Sequence, residues 1–164
     1  MKKAIIIIAA LFGMALAASA QPRAIGARLL GLGANGIEAS YQHTMAEGQF
    51  IQGDLGIFAW DGFTATGTYN WIISSPRWTS EGVWNFYLGA GASLGYVEYG
   101  HDAEGRVESN FMFGFVGQVG LEYNFDFPLQ LSADLRPVLG WSDGKFYGDG
   151  VLGFVPSISV RYRF

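Results

Sequence analysis

Residues 152–164 read Leu-Gly-Phe-Val-Pro-Ser-Ile-Ser-Val-Arg-Tyr-Arg-Phe, and the reading of this stretch decides the fold. Counting back from the terminus, Phe164, Tyr162, Val160, Ile158, Pro156, Phe154 and Leu152 fall on one face. Arg163, Arg161, Ser159, Ser157, Val155 and Gly153 fall on the other. A side-chain period of two, with one apolar face and one mostly polar or small, marks a β-strand whose faces meet different surroundings.

The same alternation recurs upstream in residues 23–30, 36–44, 49–60, 63–73, 83–98, 110–124 and 129–141, separated by clusters of Gly, Asn, Asp and Ser. Most connections are of hairpin length, so consecutive strands are expected to pair antiparallel. Residues 74–82, 99–109 and 142–150 are the long connections. The expectation is an all-β, eight-stranded, up-and-down antiparallel barrel.

Residues 1–20 carry Lys2 and Lys3, an apolar run and then Ala18-Ser19-Ala20, the three-part pattern of a cleaved secretory signal peptide. That leaves residues 21–164 as one domain. Removing Lys2 and Lys3 from the 10 basic residues leaves eight against 14 acidic ones, which argues against a nucleic-acid partner. There is no Cys and there are only two His, so neither a disulfide nor a metal-ligand set is expected, and no cofactor is implied.

The two faces separate charge sharply. Ile37, Ile57, Trp71, Leu88, Phe115, Val119, Leu135 and Ile158 belong to an apolar set with no Asp, Glu, Lys or Arg. The opposite face carries Arg28, Glu38, Asp54, Glu98, Glu122, Asp134, Arg136, Arg161 and Arg163; Arg23, at the start of its strand, is the exception. Alternation alone fits a soluble barrel with an apolar interior as well as a membrane barrel with an apolar exterior. Aromatic placement separates them. Trp71, Trp84, Phe86, Tyr123, Tyr162 and Phe164 cluster toward one end of the strands, and Phe63, Tyr96, Phe111, Phe113, Trp141 and Phe154 toward the other. Two aromatic belts around an aliphatic waist suit the two interfaces of a bilayer. An Arg or Lys on that face at mid-depth would cost roughly 2–4 kcal/mol, which accounts for their absence. The apolar face is therefore expected to point outward into lipid, and the chain to be transmembrane.

The terminal pattern of Ser157, Tyr162 and Phe164 resembles the C-terminal insertion signal of bacterial outer-membrane barrels, with Ser159 where Gly is usual. The whole of residues 21–164 resembles the small outer-membrane barrels of the OmpA and OmpX type, and stretches such as residues 36–43 resemble outer-membrane barrels of Bacteroidetes. The resemblance implies the outer membrane of a Gram-negative bacterium. It also implies contact with outer-membrane lipid and lipopolysaccharide, and insertion by the barrel-assembly machinery with periplasmic chaperones. It names no surface partner.

An eight-stranded barrel has an interior that side chains can fill. Arg28 and Arg136 are expected at mid-depth among Glu38, Asp54 and Asp134, with Arg161 and Arg163 lower down near Glu122. The set reads as a paired polar plug, giving a non-enzymatic barrel with an envelope-structural or surface-interaction role; a narrow ion path is the alternative, since inward Gly89, Gly91, Gly95, Gly114 and Gly120 would leave void. Another alternative is a lipid A-modifying acyl enzyme. His101 lies beside Asp102 and Glu104, with Ser109, Ser142 and Asp143 in or at the ends of the long loops, and a carboxylate-oriented His can activate a hydroxyl. If residues 142–150 form a symmetric loop, Pro137 and Pro156 face each other, as a paired bulge or as a lateral gap like those of the lipid A palmitoyltransferase barrel. That family carries its His, Asp and Ser in the first two outer loops. Here those are residues 31–35 and 61–62, which hold neither His nor Ser.

Overall fold

In the computed structural model the chain forms β1 (Arg23–Leu30), β2 (Gly36–Ala46), β3 (Gln49–Phe58), β4 (Gly62–Ser74), β5 (Val83–His101), β6 (Val107–Asn124), β7 (Leu129–Arg136), β8 (Val138–Ser142), β9 (Lys145–Tyr147) and β10 (Val155–Arg163). The structure describes residues 22–31, 36–58, 62–101, 107–142, 145–147 and 155–164; the leader expected at residues 1–20 lies outside them.

Strands β1 to β6 pair antiparallel in sequence order, β6 pairs with β7 and β8, β7 with β10, and β10 with β1, so the sheet closes. β7 and β8 lie end to end against β6, and β9 and β10 return along them. The ten strands therefore make the eight staves of an up-and-down barrel. Closure is made by the terminal stretch itself: the Arg23 amide donates to the Phe164 carbonyl at 3.0 Å and the Phe164 amide returns to Arg23 at 2.9 Å. Closing the sheet removes the unpaired edge that would otherwise invite other strands.

The distribution of side chains is the reverse of a water-soluble core. Leu88, Phe115, Leu139 and Val160 are each more than half exposed, whereas Arg28, Asp54 and Arg161 have no exposed surface. Buried charge and amide groups fill the interior, and the apolar residues form the outer wall. Aromatic residues lie side by side near each end. Phe63, Tyr96 and Phe111 occupy one row across β4, β5 and β6, and Phe113 is paired with Trp141 nearby. At the other end Trp84 contacts Tyr123 at 4.6 Å and Tyr162 stacks on Phe164 at 6.4 Å. Phe154 lies outside the described residues.

Two boundaries differ from the sequence reading. β5 runs on to His101, which pairs with Val107, so the connection expected at residues 99–109 narrows to 102–106. Likewise Ser142 pairs with Lys145, which closes a tight hairpin where a nine-residue loop was expected at 142–150. The intervening Asp-Gly is the dipeptide that two-residue hairpins favour.

The register of β10 on β7 corrects the proline pair. Pro156 faces Leu135, not Pro137, because β10 is in register with β7 such that Val155 meets Arg136. On the β9–β10 side the returning strand advances eight residues, from Tyr147 to Val155, while its partner runs back four, from Gly140 to Arg136. On the β6 side there is no bulge at Pro137. Val119 pairs with Leu135 and Val116 with Val138, so both chains advance equally past the proline. The Gly117 amide still donates to the Pro137 carbonyl at 2.9 Å, and the ring lies against Gly117, so the seam between β6 and Pro137 stays closed. Pro137 thus removes one ladder donor and divides β7 from β8 without shifting their register.

Candidate functional site

The lumen is the one place where the fold concentrates chemistry among the described residues. Inward parity on β1, β2, β3 and β7 brings Arg28, Glu38, Asp54, Asp134 and Arg136 together. Arg28 and Glu38 are direct cross-strand partners, and Arg28 Nη1 donates to Glu38 Oε2 at 2.7 Å. The same guanidinium reaches across the lumen, with Nη2 donating to Asp134 Oδ1 at 2.6 Å. Arg136 donates to Asp54 Oδ2 and lies 3.6 Å from Glu38 Oε2. Glu38 therefore sits between two cations, and Arg28 between two carboxylates. In a low-dielectric interior the attraction must offset the desolvation of these ions, and here each carboxylate faces at least one guanidinium at hydrogen-bonding distance.

Below this cluster Arg161 is fully buried and has no carboxylate in contact among the described residues. Its Nε donates to Ser40 at 2.9 Å, Nη1 to Ser132 at 2.8 Å and Nη2 to Ser159 at 3.2 Å. Glu122, which the sequence placed beside Arg161 and Arg163, instead accepts from Asn85 at 2.9 Å, Asn124 at 3.0 Å and Gln130 at 3.1 Å. Gln130 is the link: its Oε1 accepts from Arg161 Nη1 at 3.4 Å. Arg163 lines the lower end of the lumen with Glu122 and Gln130, but its guanidinium donates to the backbone carbonyls of Phe125 and Phe127, so it ties the terminal strand to the β6–β7 turn at the rim.

Sequence reasoning missed Tyr87. It follows Asn85 with the same inward parity, has no exposed surface, and packs edge-on to Phe50 at 5.3 Å while its hydroxyl donates to Asp134 Oδ2 at 3.5 Å. Its ring covers Gly120, its cross-strand partner; a Cβ at Gly120 would collide with that ring and come within 2.8 Å of Asp134 Cβ. The inward glycines expected to leave void are thus largely occupied by their neighbours. Asn70 covers Gly89, and Val138 approaches Gly114. Toward the terminal end a cavity of about 150 Å³ remains, lined by Gln42, Phe50, Asn85, Glu122 and Gln130 among others.

The other sequence candidates are placed as follows. Ser157 is buried and faces Asp134, while Tyr162 and Phe164 are on the outer wall. The side chains of Glu98, His101, Ser109 and Ser142, and all of Asp102, Glu104 and Asp143, lie outside the described residues. The structure therefore brings no Ser, His and acid group together among the residues it describes.

No family model and no curated protein matches the sequence. Among solved structures, the chain is similar to the N-terminal β-barrel domain of Pseudomonas aeruginosa OprF, with a TM-score of 0.62 at 12% identity, covering 88% of this chain and 96% of that one. The fold is that of a small OmpA-like barrel. At that identity the likeness to the OprF barrel fixes the architecture and leaves residue roles to be argued from this chain's own lumen.

Proposed function

We propose that this protein is a non-enzymatic integral outer-membrane barrel of a Gram-negative bacterium, with its lumen plugged by the Arg28, Glu38, Asp54, Asp134 and Arg136 network and with an envelope-structural or surface-interaction role. One observation carries the reading: the outer wall of the staves is apolar, while the buried side chains of the interior are mostly charged or polar. In water this arrangement would expose a continuous apolar wall far larger than a soluble monomer displays. In a bilayer the same wall is solvated by lipid, and the closed ladder pairs the backbone groups of neighbouring strands with one another. The two aromatic zones then lie at the two interfaces, with outer-membrane lipid and lipopolysaccharide against the wall. Residues 1–20 would direct export, and Tyr162 and Phe164, on the outer wall of the closing strand, would present the insertion signal to the assembly machinery. The OprF barrel likeness supports this reading through its fold.

The experiment is refolding of residues 21–164 into detergent or lipid vesicles. The expected result is a β-rich spectrum and a band whose gel mobility changes on boiling, with no steady conductance in a planar bilayer. A detergent-free soluble monomer would overturn the membrane assignment, and reproducible conductance steps would overturn the plug.

A further inference from the structure

The longest described connection between strands, residues 75–82, lies at the end of the barrel that holds both termini, and it folds outward over the wall. It is pinned at both of its ends. Ser75 Oγ donates to Asn85 Oδ1 at 2.7 Å; Tyr123 Oη donates to the Glu81 carbonyl at 2.8 Å, and the Gly82 amide donates to Asp126 Oδ1 at 3.1 Å. Gly82 has φ +68°, and a Cβ there would lie 2.5 Å from Tyr123 Oη, so the chain can make this return only through glycine. The result is that Trp78 lies on the outer side chains of β5, 5.5 Å from both Trp84 and Phe86, with more than half of its surface exposed. From there the aromatic contacts continue without a break through Tyr123, Phe125 and the exposed Phe127. Arg77, next to Trp78 in the chain, is exposed too.

From this geometry we infer that the β4–β5 connection is a lipid clamp: Trp78 inserts among the glycerol-ester groups of the leaflet on the terminal side, and Arg77 takes a phospholipid phosphate. The inference rests on the membrane reading above and deepens it. An indole has an apolar body and a polar N–H, which suits the zone where chains meet headgroups. A turn serving only to join two strands needs two to five residues and no exposed Trp. This one is held by hydrogen bonds to three residues, Asn85, Tyr123 and Asp126, in the position that extends the aromatic zone by one ring, continuous with the apolar wall. A guanidinium matches a phosphate bidentately, and its stem can lie along the same surface.

The test is fluorescence of the whole mature protein in phosphatidylcholine vesicles whose chains carry bromine either near the headgroup or near the methyl end. The signal of Trp78 is taken as wild type minus Trp78→Phe. The expected result is emission at shorter wavelength than in water, with at least twofold stronger quenching by the shallow bromines than by the deep ones. In vesicles containing phosphatidylglycerol, Arg77→Gln should reduce the shallow quenching of Trp78. A Trp78 signal quenched by aqueous acrylamide and untouched by bromine, while Trp71 and Trp141 are quenched by bromine, would overturn the clamp and leave the membrane barrel standing. If none of the tryptophans responds to bromine, the membrane reading fails and the clamp with it. Equal Trp78 quenching in the Arg77→Gln protein would overturn the phosphate contact.

Discussion

Arg161 and Glu122 do not touch; the amide of Gln130 stands between them, accepting from Arg161 Nη1 at 3.4 Å and donating to Glu122 Oε2 at 3.1 Å. A cation and an anion are thereby joined through a neutral dipole whose two ends are used in opposite senses. Gln130→Leu keeps the volume and removes both contacts, so each ion loses one buried partner. The expected cost is about 1–3 kcal/mol, read as a lower urea midpoint for unfolding from vesicles. An unchanged midpoint would mean that the hydroxyls around Arg161 and the two remaining amides on Glu122 satisfy them without the bridge.

Arg28 is the more severe case, because two carboxylates depend on it. Arg28→Met strips Glu38 of its 2.7 Å partner and Asp134 of its 2.6 Å partner. Breaking a buried pair from one side costs about 3–5 kcal/mol, since the stranded charge stays buried. Adding Glu38→Leu removes one of those stranded charges, so the double variant should be more stable than Arg28→Met alone. Urea midpoints for the two single variants and the double one give the coupling directly.

How much of this was legible in the sequence follows from what alternation encodes. It fixes which face a residue is on, and so it put Arg28, Glu38, Asp54, Asp134 and Arg136 inside. It also makes Arg28 and Glu38 neighbours, because β1 and β2 are joined by a short connection. Depth is a different quantity. Whether Pro137 meets Pro156 depends on the β7–β10 register, which the turn between Ser142 and Lys145 does not set alone: Gly140 pairs with Tyr147 but Arg136 with Val155, so the returning strand carries four residues more than its partner. Alternation is blind to that excess, because an even number of added residues leaves every side chain on its own face. Arg163 has inward parity and lines the terminal end of the lumen, but it sits one residue past the last β7–β10 pair, where the carbonyls of the β6–β7 turn take its guanidinium. Tyr87 was hidden because an aromatic on a mostly polar face contributes nothing to the charge pattern, and its fit onto Gly120 requires the β5–β6 register.

That fit yields its own prediction. Gly120→Ala puts a methyl group where the Tyr87 ring now lies, and overpacking of this kind costs about 1–3 kcal/mol. Combining it with Tyr87→Leu should recover part of the loss, so the two effects will not add. Tyr87→Ala on its own removes the ring beside Phe50 and Asp134, and it is expected to turn a silent barrel into one with small conductance steps in a planar bilayer. Silence in that variant would show that the ion network alone closes the lumen.

The outer wall gives the sharpest contrast between the two environments in which this barrel could live. Val119 lies at the waist, between Leu88 and Leu135, with its side chain outward. In a soluble barrel Val119→Arg would be a surface change worth no more than about 0.5 kcal/mol in either direction, and it would improve solubility. Against lipid it places a guanidinium near the bilayer midplane and should cost about 2–4 kcal/mol. Val119→Leu, of the same polarity, should leave stability nearly unchanged and so controls for packing on the wall. The measurement is the urea midpoint of each variant refolded into vesicles. A Val119→Arg protein as stable as its Val119→Leu counterpart would mean that the apolar wall is not in lipid at that depth.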